Sequence, residues 1–148
     1  MWHGCSAIKE ARRTPVDETH EQRPRLLIAE RDPFMRKTLT RTLEEHFELA
    51  FVEDGSAVLE QVRARPPALV ILEALLPTLD GFQVCQQLKS DPATRRIPVL
   101  FFTVLLAEER AAQVGANGFL LKPLRKDALL ETVHRLLAEA SAREGGKT

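Results

Sequence analysis

The sequence predicts an α/β fold in which five parallel strands alternate with five helices. Several short apolar runs, such as residues 26–29 and 68–72, lack polar alternation, which is typical of strands covered on both faces. Between these runs, apolar residues recur at helical spacing. The connections are short, which favours right-handed crossovers and helices on both faces of one parallel sheet.

Local signals define the first two strand and helix pairs. Residues 26–29 form the first strand, and Asp32 before Pro33 is a helix cap followed by the proline that suits a first helical position. Residues 47–52 form a short second strand, and Ser56 opens the second helix. The apolar stripes of these helices are Met35, Leu39 and Leu43 in the first and Val58, Leu59 and Val62 in the second.

The third pair contains the most informative carboxylate of the chain. Residues 68–72 predict a central strand that ends at Glu73, and a helix follows Asp80 and Gly81. In open α/β sheets the carboxyl ends of the strands line the ligand crevice. Glu73 is therefore a candidate functional residue, although a solvent-facing carboxylate at a strand end is an equal alternative.

The last two pairs place further polar residues at strand ends. Residues 97–103 predict a fourth strand that ends at Thr103, and residues 118–121 predict a fifth that ends at Lys122 and Pro123. The helix between these strands has barely two turns, and the final helix starts near Asp127.

Composition bounds the classes of function. The chain has 148 residues, 44% of them hydrophobic, and equal numbers of acidic and basic residues, 21 each. One domain with a tail is expected, without a global field that favours nucleic acid or an anionic membrane. We expect a cytoplasmic protein, because no apolar run suits a membrane span or signal peptide and two distant cysteines suit reduced thiols.

The expected organisation is a flexible N-terminal tail (1–24), one domain (25–140) and a short C-terminal tail (141–148). The N-terminal tail is rich in charge and lacks an apolar period. His3 and Cys5 could supply half of a metal site, but a solvated tail is favoured because further ligands are missing. Trp2 and Ile8 could instead order the tail against a partner.

The residues at the strand exits carry a resemblance to a known family. Glu30, Arg31, Glu73, Thr103 and Lys122 stand at these exits. Together with the Pro77, Asp80 and Gly81 turn, the 97–103 strand and residues 115–123, this pattern resembles the response-regulator receiver family over residues 25–137. The resemblance implies a flavodoxin-like (βα)5 doubly wound sheet in the order 2-1-3-4-5, and a cis peptide between Lys122 and Pro123.

The family's chemistry depends on residues that differ here. In receivers, an aspartate at the position of Glu73 accepts a phosphoryl group from a histidine kinase, helped by Mg²⁺ held at an acidic pair that ends the first strand. Here that pair is Glu30 and Arg31. A guanidinium repels Mg²⁺ and competes for its carboxylates. We therefore expect no Mg²⁺ cofactor, no enzymatic activity and an atypical, pseudo-receiver role.

Other positions match the family's residues that contact or report the phosphoryl group. These are Thr103, Lys122 and the switch aromatic Phe119. Glu73 is one methylene longer than aspartate and is expected to approach Lys122 and Thr103, partly imitating an acyl phosphate. Arg31 is expected to pair with Glu73, Glu30 or both, so that two acids and two bases neutralise one another.

The segment after the fourth strand differs from the family pattern. The interval from Thr103 to Gly115 is about three residues shorter than in typical receivers, nearly one helical turn. It also carries Leu105 and Leu106, which either fold inward or form an exposed partner patch. In the family, the fourth helix, fifth strand and fifth helix form the dimer and output face, so a protein partner or homodimer is expected there.

Three functions remain in competition at this point. The leading hypothesis is a phosphorylation-independent, two-component-type signalling module that acts through protein–protein interaction. The alternatives are a phospho-accepting response regulator that uses Glu73 and a small-molecule sensor that uses the crevice, with a phosphotransfer enzyme last. Phosphodonors should perturb only a working receiver, whereas a sensor should show ligand-dependent stabilisation.

Overall fold

Five parallel strands form one sheet in the order β2-β1-β3-β4-β5, as expected from the sequence. The computed structural model describes residues 23–146. The strands are β1 (Arg25–Ala29), β2 (Glu48–Val52), β3 (Leu69–Leu72), β4 (Val99–Thr103) and β5 (Gly118–Leu121). The helices are α1 (Pro33–Leu43), α2 (Gly55–Ala64), α3 (Gly81–Ser90), α4 (Glu108–Gln113) and α5 (Lys126–Gly146).

Each central strand packs on both sides, which explains its continuous apolar sequence. In β3, Val70 and Leu72 join a core with α2 and α3, whereas Leu69 and Ile71 join a second core with α1 and α5. All four side chains are buried. Because neither face of this strand meets water, polar side chains occur only beyond its end, at Glu73.

Side-chain caps fix where the helices begin at the carboxyl edge of the sheet. Asp32 accepts a hydrogen bond from the Phe34 N–H, as its position before a proline predicts. Asp80 and Gln83 form a reciprocal capping box at α3. The second helix begins one residue before the predicted Ser56, because Asp54 is the cap and accepts from Ala57 N–H.

Helix α4 is short, as the sequence predicts, and it lacks a side-chain cap at its N-terminus. Gly115 ends this segment with a φ of 93°, a conformation that favours glycine. Arg110 on α4 lies over the Phe82 ring, 4.1 Å from its centroid. Phe82 in turn stacks on Phe101 of β4 with centroids 5.2 Å apart. This stack attaches the short helix to α3 and the sheet.

The ends of the domain differ in how far they are described. Helix α5 continues to Gly146, through residues that the sequence places in a C-terminal tail. The expected N-terminal tail lies, up to residue 22, outside the described residues, as do His3 and Cys5. No helix within residues 23–146 is long and apolar enough to cross a membrane.

Three side chains outside the strand exits show what tertiary structure adds. Cys85 is buried, and burial raises the pKa of its thiol to about 11, which fits a packing role. His46 and His134 are both exposed, and their rings lie 5.9 Å apart, edge to face. Their sequence separation gives no sign of this contact.

Candidate functional site

The candidate site lies at the carboxyl edge of four neighbouring strands. Glu30 follows β1, Glu73 follows β3, Thr103 ends β4 and Lys122 follows β5. Parallel strands bring these ends to the same edge of the sheet. The four side chains meet there although they come from positions up to 92 residues apart in the sequence.

Glu73 is the centre of a connected polar cluster. One carboxylate oxygen, Oε1, lies 2.8 Å from the Lys122 ammonium, and the other, Oε2, accepts a hydrogen bond from the Thr103 hydroxyl. The same ammonium lies 2.8 Å from Glu30 Oε1. Thr103 and both glutamates are buried, and the Lys122 side chain is only 12% exposed. The predicted approach of Glu73 to Lys122 and Thr103 is therefore present in the structure.

Backbone amides complete the hydrogen bonding of both carboxylates. The Leu75 N–H donates to Glu73 Oε2 at 3.0 Å, and the Asp32 N–H donates to Glu30 Oε2 at 3.1 Å. The four carboxylate oxygens of Glu30 and Glu73 thus each have a donor within the protein. The hydrogen bonding of both buried carboxylates is therefore satisfied by groups of the protein itself.

Lys122 carries the positive charge of the cluster. Burial alone would lower the pKa of its ammonium, but the hydrogen bonds and charges of Glu30 and Glu73 outweigh this and raise the pKa above 10.5. Lys122 therefore stays charged at neutral pH. Two carboxylates against one ammonium leave a formal charge of −1, which the backbone and hydroxyl donors offset.

The prediction that Arg31 forms an ion pair with Glu73, Glu30 or both is wrong. Arg31 is exposed, and it forms no ion pair with Glu30 or Glu73, both of which pair with Lys122 instead. The reason is geometric, because successive side chains of an extended segment point in opposite directions. Since Glu30 points into the cluster, its neighbour Arg31 points out. The balance of two acids and two bases is therefore replaced by two acids and one base.

The loop that follows Glu73 is held by residues that the sequence analysis did not single out. Thr78 has a φ of 67° and forms a γ-turn, in which Leu79 N–H donates to the Pro77 carbonyl at 2.9 Å. Its hydroxyl lies 3.3 Å from an Asp54 oxygen, at the start of α2. Positive φ at a β-branched residue is rare, so this contact restrains an unusual loop.

Close packing of glycines places this loop against the neighbouring elements. A Cβ at Gly81 would lie 2.5 Å from the Glu73 carbonyl oxygen, and one at Gly55 would lie 2.0 Å from the Leu79 carbonyl oxygen. Both distances are too short for any other residue without a backbone shift. The Asp80-Gly81 pair in the sequence was a signal for the first contact, whereas nothing in the sequence pointed to the second.

The residues present do not fit a Mg²⁺ ion. Mg²⁺ requires several free oxygen ligands in octahedral geometry. Here the Lys122 ammonium lies between the carboxylates of Glu30 and Glu73 and bonds to both. In the part of the chain that the structure describes, no group of three or more His, Cys, Asp or Glu side chains is placed to hold a metal.

The residues of the expected output face divide between the core and the surface. Leu105 is half-buried and packs on the core, whereas Leu106 is 88% exposed. Of the two alternatives for this segment, inward folding therefore applies to Leu105 and exposure applies to Leu106. Phe119 on β5 is half-buried and packs against the same core. The Lys122–Pro123 peptide is cis, as the resemblance implies.

Comparison with known proteins agrees with the fold. Protein PilH of Pseudomonas aeruginosa is 32% identical over 118 residues, which cover 77% of this chain and 98% of PilH. Response regulator PleD of Caulobacter vibrioides is 31% identical over 114 residues, 75% of this chain but only 25% of PleD. The receiver domain structure of a histidine kinase from Syntrophus aciditrophicus has 32% identity and a TM-score of 0.73, covering 78% of this chain and 91% of that domain.

The family model agrees with these individual similarities. The response regulator receiver domain model matches residues 26–134, which include all of the sheet except Arg25 of β1 and all four residues of the Glu73 cluster. The fold and the strand order are those expected for that family. This chain belongs to the response regulator receiver domain family.

Proposed function

We propose that this chain is a phosphorylation-independent receiver module that signals through protein–protein interaction. One observation carries the proposal: the Glu73 carboxylate is bonded by both Thr103 and Lys122, the residues that match the family's phosphoryl contacts. The carboxylate thus occupies the place where those residues would meet a phosphoryl group. The module needs no phosphoryl group to make these contacts.

The same geometry argues against Glu73 as a working phosphoryl acceptor. A nucleophilic carboxylate needs a free oxygen aligned with the donor, together with a cation that neutralises the transferred group. Both oxygens of Glu73 are hydrogen-bonded, and the adjacent ammonium is shared with Glu30. Transfer would require breaking a buried ion pair without a metal to replace it.

The first prediction tests this proposal directly. Incubation with acetyl phosphate and Mg²⁺ is expected to give no stoichiometric adduct in intact mass spectrometry, because Glu73 is engaged and the metal ligands are missing. A mass increase of about 80 Da, the mass of one phosphoryl group, that disappears in Glu73→Gln would contradict it. PilH, treated in parallel, shows how a relative matched over nearly its whole length responds under the same conditions.

Glu73 is an imperfect substitute for a phosphoryl group. A carboxylate brings one negative charge and two oxygens, against about −1.5 to −2 and three acceptor oxygens for a phosphorylated side chain. Its contact with Thr103 and Lys122 therefore favours the active-like arrangement without fully populating it. This state is fixed by the sequence rather than switched by a kinase.

The proposed output surface is the face formed by α4, β5 and α5. Of the residues expected there, Leu106 is exposed, whereas Leu105 and Phe119 pack partly on the core. Leu106→Glu is expected to weaken association with the partner or with a second copy while leaving the circular dichroism and melting curve unchanged, because this side chain contributes little to the core. Sedimentation and pull-down measure the effect.

A matched control is Val114→Ala, which removes a half-buried group without adding charge to the surface. If Leu106→Glu associates as strongly as the parent, the output surface lies elsewhere.

The small-molecule sensor hypothesis gains no support from the Glu73 cluster, because its polar atoms already bond to one another. Cavities of about 320 and 520 Å³ lie instead near Phe102 and near Phe47.

A further inference from the structure

Exposed apolar side chains are concentrated around the mouth of the Glu73 cluster. Phe34, Leu75, Val104 and Leu106 are 71%, 54%, 62% and 88% exposed, and we refer to these four residues as the apolar rim. Phe34 follows β1, Leu75 follows β3, and the other two follow β4. These strands are neighbours in the sheet, so the rim lies along one edge. Exposed apolar groups collected in one place indicate a binding surface.

The hydrogen bonds that close the cluster also hold the rim. Leu75 N–H donates to Glu73 Oε2. Leu105, which lies between the rim residues Val104 and Leu106, has its N–H nitrogen 3.3 Å from the Thr103 hydroxyl oxygen. Asp32, which caps the helix that contains Phe34, donates its N–H to Glu30. Each rim loop is therefore tied to the cluster through a backbone amide. The rim is positioned by the same side chains that replace the metal and phosphate chemistry.

We propose that the apolar rim binds the N-terminal segment of the same chain, residues 1–22, with Trp2 as its anchor. Trp2 is the only tryptophan of the chain, and Ile8 is a second apolar residue of the segment. A tryptophan buries a large apolar area for little loss of side-chain freedom. The segment lies outside the described residues, and the chain enters the described part at Arg23.

Chain length allows this contact. The strand β1 has five residues and is therefore about 17 Å long, so the rim lies roughly that far along the sheet from the point of entry. A random-coil chain as long as the interval between Trp2 and Arg23 has a root-mean-square span of about 25 Å. The span matches the distance, so the segment has an effective concentration at the rim in the millimolar range. A second copy at micromolar concentration competes poorly with it.

The proposal rests on the proposed function in one respect. A working receiver keeps this edge open for the phosphodonor. Here Glu73, Lys122 and Thr103 bond to one another, so no phosphodonor is needed at this edge, and the edge is free for another occupant. The bound segment would compete with external partners for the rim, because Leu106 belongs both to the rim and to the proposed output surface. Release of the segment would then expose the rim without any change in the Glu73 cluster.

Tryptophan fluorescence tests the proposal on the full chain, which contains no tyrosine to interfere. In the folded protein, Trp2 emission is expected to be blue-shifted and its quenching by acrylamide several-fold weaker than in the urea-unfolded chain. The paired variant Phe34→Ser with Leu75→Ser is expected to restore quenching to the unfolded level. Circular dichroism verifies that the variant stays folded, as expected for exposed positions.

Leu121→Ser is the matched control. Leu121 is 41% exposed at the end of β5, where it lines a cavity with Phe102 and Leu129 and is not one of the four rim residues. Quenching in this variant is expected to equal that of the parent. Equal protection of Trp2 in the rim variant, or free quenching of Trp2 in the parent, would overturn the proposal. Protection that fades on dilution would also overturn it, because the occupant would then be a second copy.

These outcomes are separate from those of the phosphorylation test. An adduct on Glu73 together with a protected Trp2 would remove the proposed function and leave the docked segment. A freely quenched Trp2 in a chain that accepts no phosphoryl group would overturn the docked segment and leave the proposed function in place.

Discussion

Lys122→Met is expected to lower the free energy of unfolding by about 3–5 kcal/mol at neutral pH. Lys122 is the shared partner of Glu30 and Glu73, and all three side chains are largely buried. Removing the ammonium leaves two carboxylates close together in a poorly solvated place, where each disfavours the charge of the other. Urea denaturation measures the loss as a change in midpoint at constant slope.

The pH dependence gives this prediction a distinctive signature. The folded-state pKa of Lys122 is raised, so its stabilisation is fully present below 10.5 and is lost as the pH rises through the raised value. In Lys122→Met the stability should instead increase as the pH falls, because protonation removes the repulsion between the carboxylates. The difference between parent and variant is thus largest between neutral pH and about pH 10.

Two further variants separate charge from packing. Arg31→Met removes a neighbouring positive charge that is exposed, and it should change stability by less than about 0.5 kcal/mol. Adding Glu73→Gln to Lys122→Met should recover part of the loss, because one of the unpaired charges is then absent. A Lys122→Met protein as stable as the parent would show that the ammonium is not needed to hold the two carboxylates.

Arg31→Asp combined with Glu73→Asp is expected to restore Mg²⁺ binding and an adduct of about 80 Da with acetyl phosphate. Aspartate at position 73 is one methylene shorter and should withdraw from Thr103 and Lys122. Aspartate at position 31 removes the outward-pointing guanidinium and adds a short carboxylate, which must turn from that exposed position towards a metal bound at Glu30. Together they provide the oxygen ligands that Mg²⁺ requires and a free nucleophile. Calorimetry and intact mass spectrometry measure the two gains.

The single variants are the controls for this gain. Arg31→Asp alone still has Glu73 bonded to Thr103, and Glu73→Asp alone still lacks an acidic pair. Each should bind Mg²⁺ more weakly than the double variant, and neither should form a stoichiometric adduct. If the double variant stays inert, the loss of phosphoryl chemistry has a cause beyond these two positions.

The sequence was sufficient for the strands, the strand order and the meeting of Glu30, Glu73, Thr103 and Lys122. The strands follow from runs of buried residues, and the meeting of the four side chains follows from the rule that parallel strands end at one edge. The strand order follows from the resemblance to the receiver family. The direction of Arg31 was wrongly predicted, because the prediction rested on neutralising the two carboxylates and did not consider which way the side chain points. In an extended segment, neighbours point to opposite sides.

Other features depend on tertiary structure that local patterns do not encode. The contact between His46 and His134 depends on where α5 packs, and the contact of Thr78 with Asp54 depends on how two loops meet. The apolar rim was missed for a related reason, because Phe34 and Leu75 resemble ordinary core residues at their positions in the sequence. Only the strand order shows that they share an edge.

The bond between Thr103 and the Glu73 carboxylate also affects timing. An acyl phosphate on a receiver hydrolyses, so its signal has a lifetime set by chemistry. The carboxylate of Glu73 is part of the polypeptide, so its contacts are not ended by hydrolysis. In the proposed function, the signal lasts as long as the protein molecule itself. The strength of the signal is then set by synthesis, by degradation and by binding that blocks the protein's surface.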